Sequence, residues 1–450
     1  MTAVQSFENR GGVVSNPWKP YPAYKASGVE WLGTVPQHWD VKRLKYSASI
    51  NDDALPETTD PDFEFDYVDI GSVNAAAGIT TKERMVFDSA PSRARRRVKI
   101  GDTIVSTVRT YLRAIAPIRD SAETMIVSTG FAVVRPRKVE SSYLAYALRE
   151  ASFVESIVAR STGVSYPAVN AAEVGCIAIP LPSPPEQRAI AVFLDRETRK
   201  IDRLVAKKQE LLEKLSEERI TLVSRTVTRG LNPKVKLKHS GVDWLGEVPE
   251  HWQVKAIKWE TPVFRGASPR PIDDPAYFDE DGEFAWVRIS DVTGAGMYLV
   301  ETEQKLSVLG CSLSVKLLPG ALFLSIAGSV GKPCITRIKC CIHDGFVYFP
   351  RFSGDQRFLY YIFAGGEPYK GLGKMGTQLN LNTDTVGSIV IGLPQPDEQS
   401  EIADYLDRET AKIDCLVKKV KKAIEALQAY RTALITAAVT GKIDVREAAT

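Results

Sequence analysis

Histidine and cysteine are scarce, four and six in 450 residues. So few histidines leave little material for imidazole catalysis or metal binding. Six irregularly spaced cysteines make no disulfide framework and fit a reducing cytoplasm. No apolar run approaches the roughly 18–20 residues of a membrane span, so no membrane association is expected. The first residues carry Glu8 and Arg10 and no apolar core, which argues against a signal peptide. Neither charge dominates: Lys plus Arg number 58, Asp plus Glu 55, a net of +3. That excludes a binder held to nucleic acid by bulk charge, but not a reader with local basic patches. A composition of 44% hydrophobic and 25% charged residues excludes a disordered or fibrous chain. At ~100–200 residues per domain, about two to four domains are expected.

Catalytic signatures are missing too. No Asn/Asp-Pro-Pro-aromatic run exists for amino-methyl transfer, and no acidic pair with a following E-x-K exists for metal-dependent DNA cutting. Gly371-x-Gly373-x-x-Gly376 follows a helical pattern rather than a strand and opens no long helix, so it reads as a chance loop. Gly328-Ser-Val-Gly331-Lys332-Pro333 has glycines too close for a phosphate loop, with Pro333 where a magnesium-binding hydroxyl belongs. Cys334, Cys340, Cys341 and His343 contain no CxxC and read as strand residues rather than a zinc site. No metal or cofactor is expected on this chain.

What is present is a duplication. Residues 27–45 read SGVEWLGTVPQHWDVKRLK and residues 240–258 read SGVDWLGEVPEHWQVKAIK, 213 apart. Residues 181–204 read LPSPPEQRAIAVFLDRETRKIDRL and residues 393–416 read LPQPDEQSEIADYLDRETAKIDCL, 212 apart. Between these blocks, residues 46–160 and 259–375 share only faint landmarks, such as YVDIGSV at 67–73 and WVRISDV at 286–292. Each unit thus combines a repeated framework with a divergent insert. His38 and His251 lie in the repeated block beside Trp39 and Trp252, which points to packing rather than to two active sites.

The repeated segments after Pro184 and Pro396 have helical periodicity. Apolar positions Ile190, Leu194, Ile201, Leu204, Leu211, Leu215 and Leu222 form one stripe. Ile402, Leu406, Ile413, Leu416, Val420, Leu427 and Leu434 form the other. Prolines at the starts and Gly230 and Gly441 at the ends suit helix termini. Helices this long are expected to pair as a coiled coil; two broken helices packed on their own domains are the alternative. The inserts read as mixed, with short strands at Phe65–Ile70, Thr103–Val108, Ile126–Val134, Ala321–Ile326 and Phe346–Pro350. Tyr143–Arg160 and Gln356–Ala364 read as helices. The fold class is therefore α+β. Expected domains are 1–183, a helix 184–230, 231–395, and a second helix with tail 396–450.

These tandem blocks, GxxWLGxVPxHW and LPxPxEQxxIxxxLDxET, resemble the specificity (S, or HsdS) subunits of type I restriction–modification enzymes, over nearly the whole chain. The resemblance implies two target-recognition domains in inverted orientation, separated by an antiparallel coiled coil of two long helices. Each domain would read half of a bipartite, asymmetric site in double-stranded DNA. It implies a non-catalytic chain in a bacterial or archaeal cytoplasm, bound to two modification (methyltransferase) subunits that use S-adenosylmethionine. Restriction (translocase/nuclease) subunits would add ATP and Mg. A subunit of a type IIB-like methyltransferase-nuclease is the alternative, and a coiled-coil scaffold that binds no DNA is a third reading.

Charge distribution accords with a reader. Residues 46–81 hold eight acidic residues and no Lys or Arg, whereas residues 82–138 hold thirteen Lys/Arg against five Asp/Glu. Arg93, Arg95, Arg96, Arg97 and Lys99 form the densest cluster. Arg109, Tyr111 and Arg113 follow a predicted strand, where a turn could present them to a groove. In the second insert the comparable candidates are Arg288, Ser329, Lys332 and Lys374. The turns before the helices offer Ser165, Tyr166 and Asn170, and Gln378, Asn380 and Asn382.

Overall fold

The proline-led periodic segments form two long helices, α1 (Pro184–Arg229) and α2 (Pro396–Val439), of 46 and 44 residues. The computed structural model describes residues 18–74, 78–119, 124–163, 166–369 and 381–447. The chain divides into two units, one running to Lys207 and resuming at Lys422, the other spanning Lys208–Lys421. Each long helix therefore gives one half to each unit.

The two units repeat one α+β plan. In the first, a four-stranded sheet runs in the order Ile115–Pro117, Thr103–Ser106, Phe131–Pro136, Ala48–Ile50, all antiparallel. A second sheet has the order Glu83–Val86, Glu64–Val68, Met125–Ser128, Ala94–Arg97, with one parallel pair between Glu64–Val68 and Met125–Ser128. The second unit has a five-stranded sheet around Leu322–Ser325 and a four-stranded sheet in which Phe284–Val287 pairs parallel with Cys340–Ile342. Cys334, Cys340 and Cys341 are buried strand residues. The run Ile126–Val134 is not one strand. It breaks at Thr129-Gly130, and its halves enter different sheets. Tyr143–Arg160 likewise splits into helices Ser141–Ala147 and Ala151–Arg160. Glu150 caps the second by accepting from the Phe153 amide at 2.9 Å.

Within each unit the helix halves run antiparallel. In the first, Ile190, Leu194 and Ile201 of α1 share a core with Leu434, Ile435 and Val439 of α2, and Asp202 pairs with Arg431 at 2.8 Å. In the second, Val223 and Val227 share a core with Ile402 and Leu406, and Arg219 lies 3.6 Å from Asp414. The covered stripe on α1 is Ile201, Val205, Lys208, Leu212, Leu215, Arg219 and Leu222, spaced alternately four and three. On α2 it is Ile413, Val417, Val420, Ile424, Leu427, Arg431 and Leu434. This corrects three seam assignments. Leu204 and Leu416 are each 48% exposed and Leu211 43%. Consecutive helix residues lie about 100° apart, so Val205, Leu212 and Val417 take the seam and the leucines before them face solvent.

The repeated motifs turn out to be clamps. The Glu186 carboxylate accepts from His38 Nε2 at 2.8 Å, Trp39 Nε1 at 3.4 Å and Ser183 Oγ at 2.9 Å. In the second unit Glu398 accepts from His251 Nε2 at 2.9 Å and Trp252 Nε1 at 3.1 Å. Gln187 donates to the Pro182 carbonyl and Gln399 to that of Pro394, at 2.8 and 2.9 Å. About two helical turns on, Tyr146 donates to Asp195 and Tyr361 to Asp407, both at 2.7 Å. Gly441, at φ 71°, closes α2 against the first block: a Cβ there would lie 2.4 Å from Pro36 and 3.1 Å from the Trp39 ring. Each motif thus ties one insert and one block to its helix, which explains why these residues repeat while the inserts diverge.

Candidate nucleic-acid interface

The first unit presents an exposed turn between strands Thr103–Ser106 and Ile115–Pro117. The Thr107 amide donates to the Gly130 carbonyl at 2.8 Å, and the Ser106 amide to that of Ala114 at 2.9 Å. Between these anchors the chain bends left-handed at Arg109 (φ 50°), makes one 3-10 turn over Thr110–Leu112, and bends left-handed again at Arg113 (φ 52°). Each such bend costs a side-chain-bearing residue about 1–2 kcal/mol. Buried Thr110 pins the turn from below through Ser161 Oγ at 2.8 Å. Arg109, Tyr111, Leu112 and Arg113 remain exposed.

Behind this turn lies a cleft of about 430 Å³ bordered by Asp69, Arg93, Arg109, Ser128, Thr129 and Tyr166. The Arg109 guanidinium sits over the Tyr166 ring, 5.1 Å from its centre, a cation–π arrangement that orients it. Arg93 donates to Tyr67 Oη at 3.2 Å and lies 3.8 Å from Asp69. Arg113 is bound to Glu155. Among the described residues, the Arg109 side chain has no hydrogen-bond or ion-pair partner.

The basic cluster at 93–99 is not one patch. Side chains of the strand Ala94–Arg97 alternate between faces. Arg95 stacks on Phe87 at 4.6 Å, and Arg96 Nε is buried with no acceptor among the described residues. Arg97 is exposed, and Lys99 is 4.0 Å from Asp53.

The second unit carries the same turn with different residues. The Ile326 amide donates to the Gly345 carbonyl at 2.8 Å and the Ser325 amide to that of Lys332 at 3.0 Å. These bonds match those of Thr107 and Ser106, with the turn one residue shorter. Its left-handed positions are Gly328 (φ 64°) and Gly331 (φ 83°). Ser329 Oγ accepts from Thr293 at 3.2 Å, and Lys332 is exposed. Arg288 turns to Gln304 and Glu303. Arg265 and Arg270, not singled out in the sequence, gather on Asp344 with Ser268. The Ser268 hydrogen bond and the two arginines hold that carboxylate below the usual aspartate range against the opposing effect of burial.

Asn170 and Asn382 cap helices through their side-chain oxygens. Asn170 Oδ1 accepts from the Ala172 amide at 2.9 Å, and Glu173 returns to the Asn170 amide at 3.1 Å. Asn382 Oδ1 accepts from the Thr385 amide at 2.8 Å. The signal for the first was in the sequence: Asn-x-x-Glu is a capping box. Tyr166 is exposed at the cleft; Ser165, Lys374, Gln378 and Asn380 lie outside the described residues. No helix of the described residues is long and apolar enough to cross a membrane.

Comparison with known proteins places this arrangement. The protein assigned as the MjaX specificity subunit of a type I restriction enzyme in Methanocaldococcus jannaschii is 23% identical over 432 residues, covering 92% of this chain and 96% of that one. The MjaVIII specificity subunit of the same organism is 25% identical over 327 residues, 68% and 71% of the two chains. A chain from a solved type I R-M system shares the fold with a TM-score of 0.74 at 24% identity, covering 90% of this chain and 98% of its own. The HsdS subunit from Thermoanaerobacter tengcongensis gives 0.53 at 23% identity, covering 91% and 98%. The model of the type I restriction modification DNA specificity domain matches twice, over residues 36–214 and 249–426. The chain belongs to the type I restriction modification DNA specificity family and carries two copies of its domain.

Proposed function

We propose that this chain is the non-catalytic DNA-recognition subunit of a type I restriction–modification complex in a bacterial or archaeal cytoplasm, each unit reading one half of a bipartite, asymmetric site. The observation that carries this reading is a repeated scaffold with an unrepeated surface. Both units use the same Glu–His–Trp clamp and the same turn, yet the turn reads Arg109-Thr-Tyr-Leu-Arg113 in one and Gly328-Ser-Val-Gly331 in the other. A duplicated catalyst would repeat its chemistry at equivalent positions. Two readers of unlike half-sites differ there, because base edges are read by side chains while phosphate contacts set position.

Two modification subunits would bind the chain and supply S-adenosylmethionine and adenine methylation; restriction subunits would supply ATP and Mg chemistry. The experiment is to express the chain with its modification partner and map methylated adenines across the host genome. An interrupted motif with two unlike halves is expected. Methylation at a continuous motif, or none, would overturn the reading.

A further inference from the structure

We infer that Arg109 is a specificity-determining residue of the first unit, reading a guanine in its half-site. The inference rests on the proposed DNA-reading role and starts from the backbone. Matching hydrogen bonds make Arg109 equivalent to Gly328 and Arg113 equivalent to Gly331. All four positions are left-handed, a conformation that favours glycine. The second unit meets that demand with glycine at both; the first holds arginine at both. The backbone gives no reason for arginine, so the reason lies in the side chains.

The two arginines have different surroundings. Arg113 is bound to Glu155, and neighbouring Arg93 to Asp69 and Tyr67. The Arg109 guanidinium has no such partner among the described residues. It is exposed at the rim of the 430 Å³ cleft, held over the Tyr166 ring. A planar fork of donors, oriented by an aromatic face and free of acceptors, matches the O6 and N7 acceptors of guanine in the major groove. Adenine would set its N6 donor against the same fork. The Tyr166 ring under the guanidinium limits its swing.

The test uses the full chain assembled with its modification partner, comparing wild type with Arg109→Gly and Arg109→Lys. Glycine suits φ 50°, so Arg109→Gly keeps the turn and the fold; lysine keeps the charge and loses the fork. Methylation of a site library is measured with each base varied in turn. The wild-type complex is expected to prefer guanine at one position of the first half-site by about 5- to 150-fold. Arg109→Gly loses that preference, Arg109→Lys, with a single ammonium in place of the planar fork, keeps only part of it, and both leave the second half-site unchanged. Retained guanine preference in Arg109→Gly overturns the inference. So does a uniform loss across all sequences with a reduced salt dependence, which marks a phosphate contact. A wild-type complex that reads a bipartite site without guanine in the first half overturns this inference alone; one that reads no bipartite site overturns the functional proposal with it.

Discussion

Replacing Glu186 with Ala tests whether the repeated motif is a clamp. Its side chain is 6% exposed, and its carboxylate serves the buried Trp39 indole, His38 and Ser183 together. Hydrogen bonds to a charged group contribute about 1.5–3 kcal/mol, and leaving a buried donor unpaired costs about 1–3 kcal/mol. These terms overlap, so about 3 kcal/mol is expected for Glu186→Ala. Glu186→Gln keeps an acceptor and is expected to lose about half of that. The readout is amide hydrogen exchange in the strand pair Asp40–Arg43 and Ala178–Leu181, next to the clamp. Local protection there should fall about a hundredfold in Glu186→Ala. The equivalent pair in the second unit, Gln253–Ala256 with Val390–Leu393, should keep its protection. Burial alone would raise the Glu186 pKa, but the bonds from His38, Ser183 and Trp39 outweigh it and hold it below the ordinary 4.5. Because the folded value is depressed, this stabilisation is present above pH 4.5 and disappears as pH falls through the lower folded value. Unchanged exchange near Trp39, or an equal change in both units, would refute the clamp.

Further outcomes can be checked as well. Ile201→Asp buries a charge in the helix seam and should cost several kcal/mol, about 3 or more. Leu204→Asp, three residues on but facing solvent, should stay within about 0.5 kcal/mol in thermal melts; equal losses would show the seam is misplaced. Exchanging residues 46–160 for a foreign insert should change one half of the methylated motif, and a folded chimaera altered in both halves would contradict independent reading. Residues 1–235 should form a two-fold dimer, since Val223 and Val227 match Ile435 and Val439, 212 residues on, in the apolar helix faces. That dimer, with the modification subunit, should methylate an interrupted palindrome; a folded monomer in sedimentation would refute the pairing. The purified chain alone should transfer no methyl group from S-adenosylmethionine, measured with a radiolabelled donor.

Much of this was legible in the residues. Blocks 212 and 213 apart can only mean a duplicated domain, and Pro184 and Pro396 mark helix starts because a missing N–H costs nothing in the first turn. The clamp partners were visible as identical residues in both copies, though not as partners, since His38 and Glu186 are 148 residues apart. The same distance hid the fate of the basic cluster. Strand alternation separates Arg95 from Arg96, and Asp69, Tyr67 and Glu155, remote in the chain, occupy Arg93 and Arg113.

Sequence alone therefore determined the duplication, the α+β class, the long helices and the family, because periodicity and repeated motifs are local properties. Tertiary structure decided which apolar row forms the seam. Leu204 and Val205 are both apolar and adjacent, and only the partner helix selects between faces about 100° apart. It also decided which arginine is left without a carboxylate partner among the described residues. Arg109 and Arg113 follow the same strand and share the same backbone conformation, but a carboxylate delivered by the helix Ala151–Arg160 reaches only Arg113.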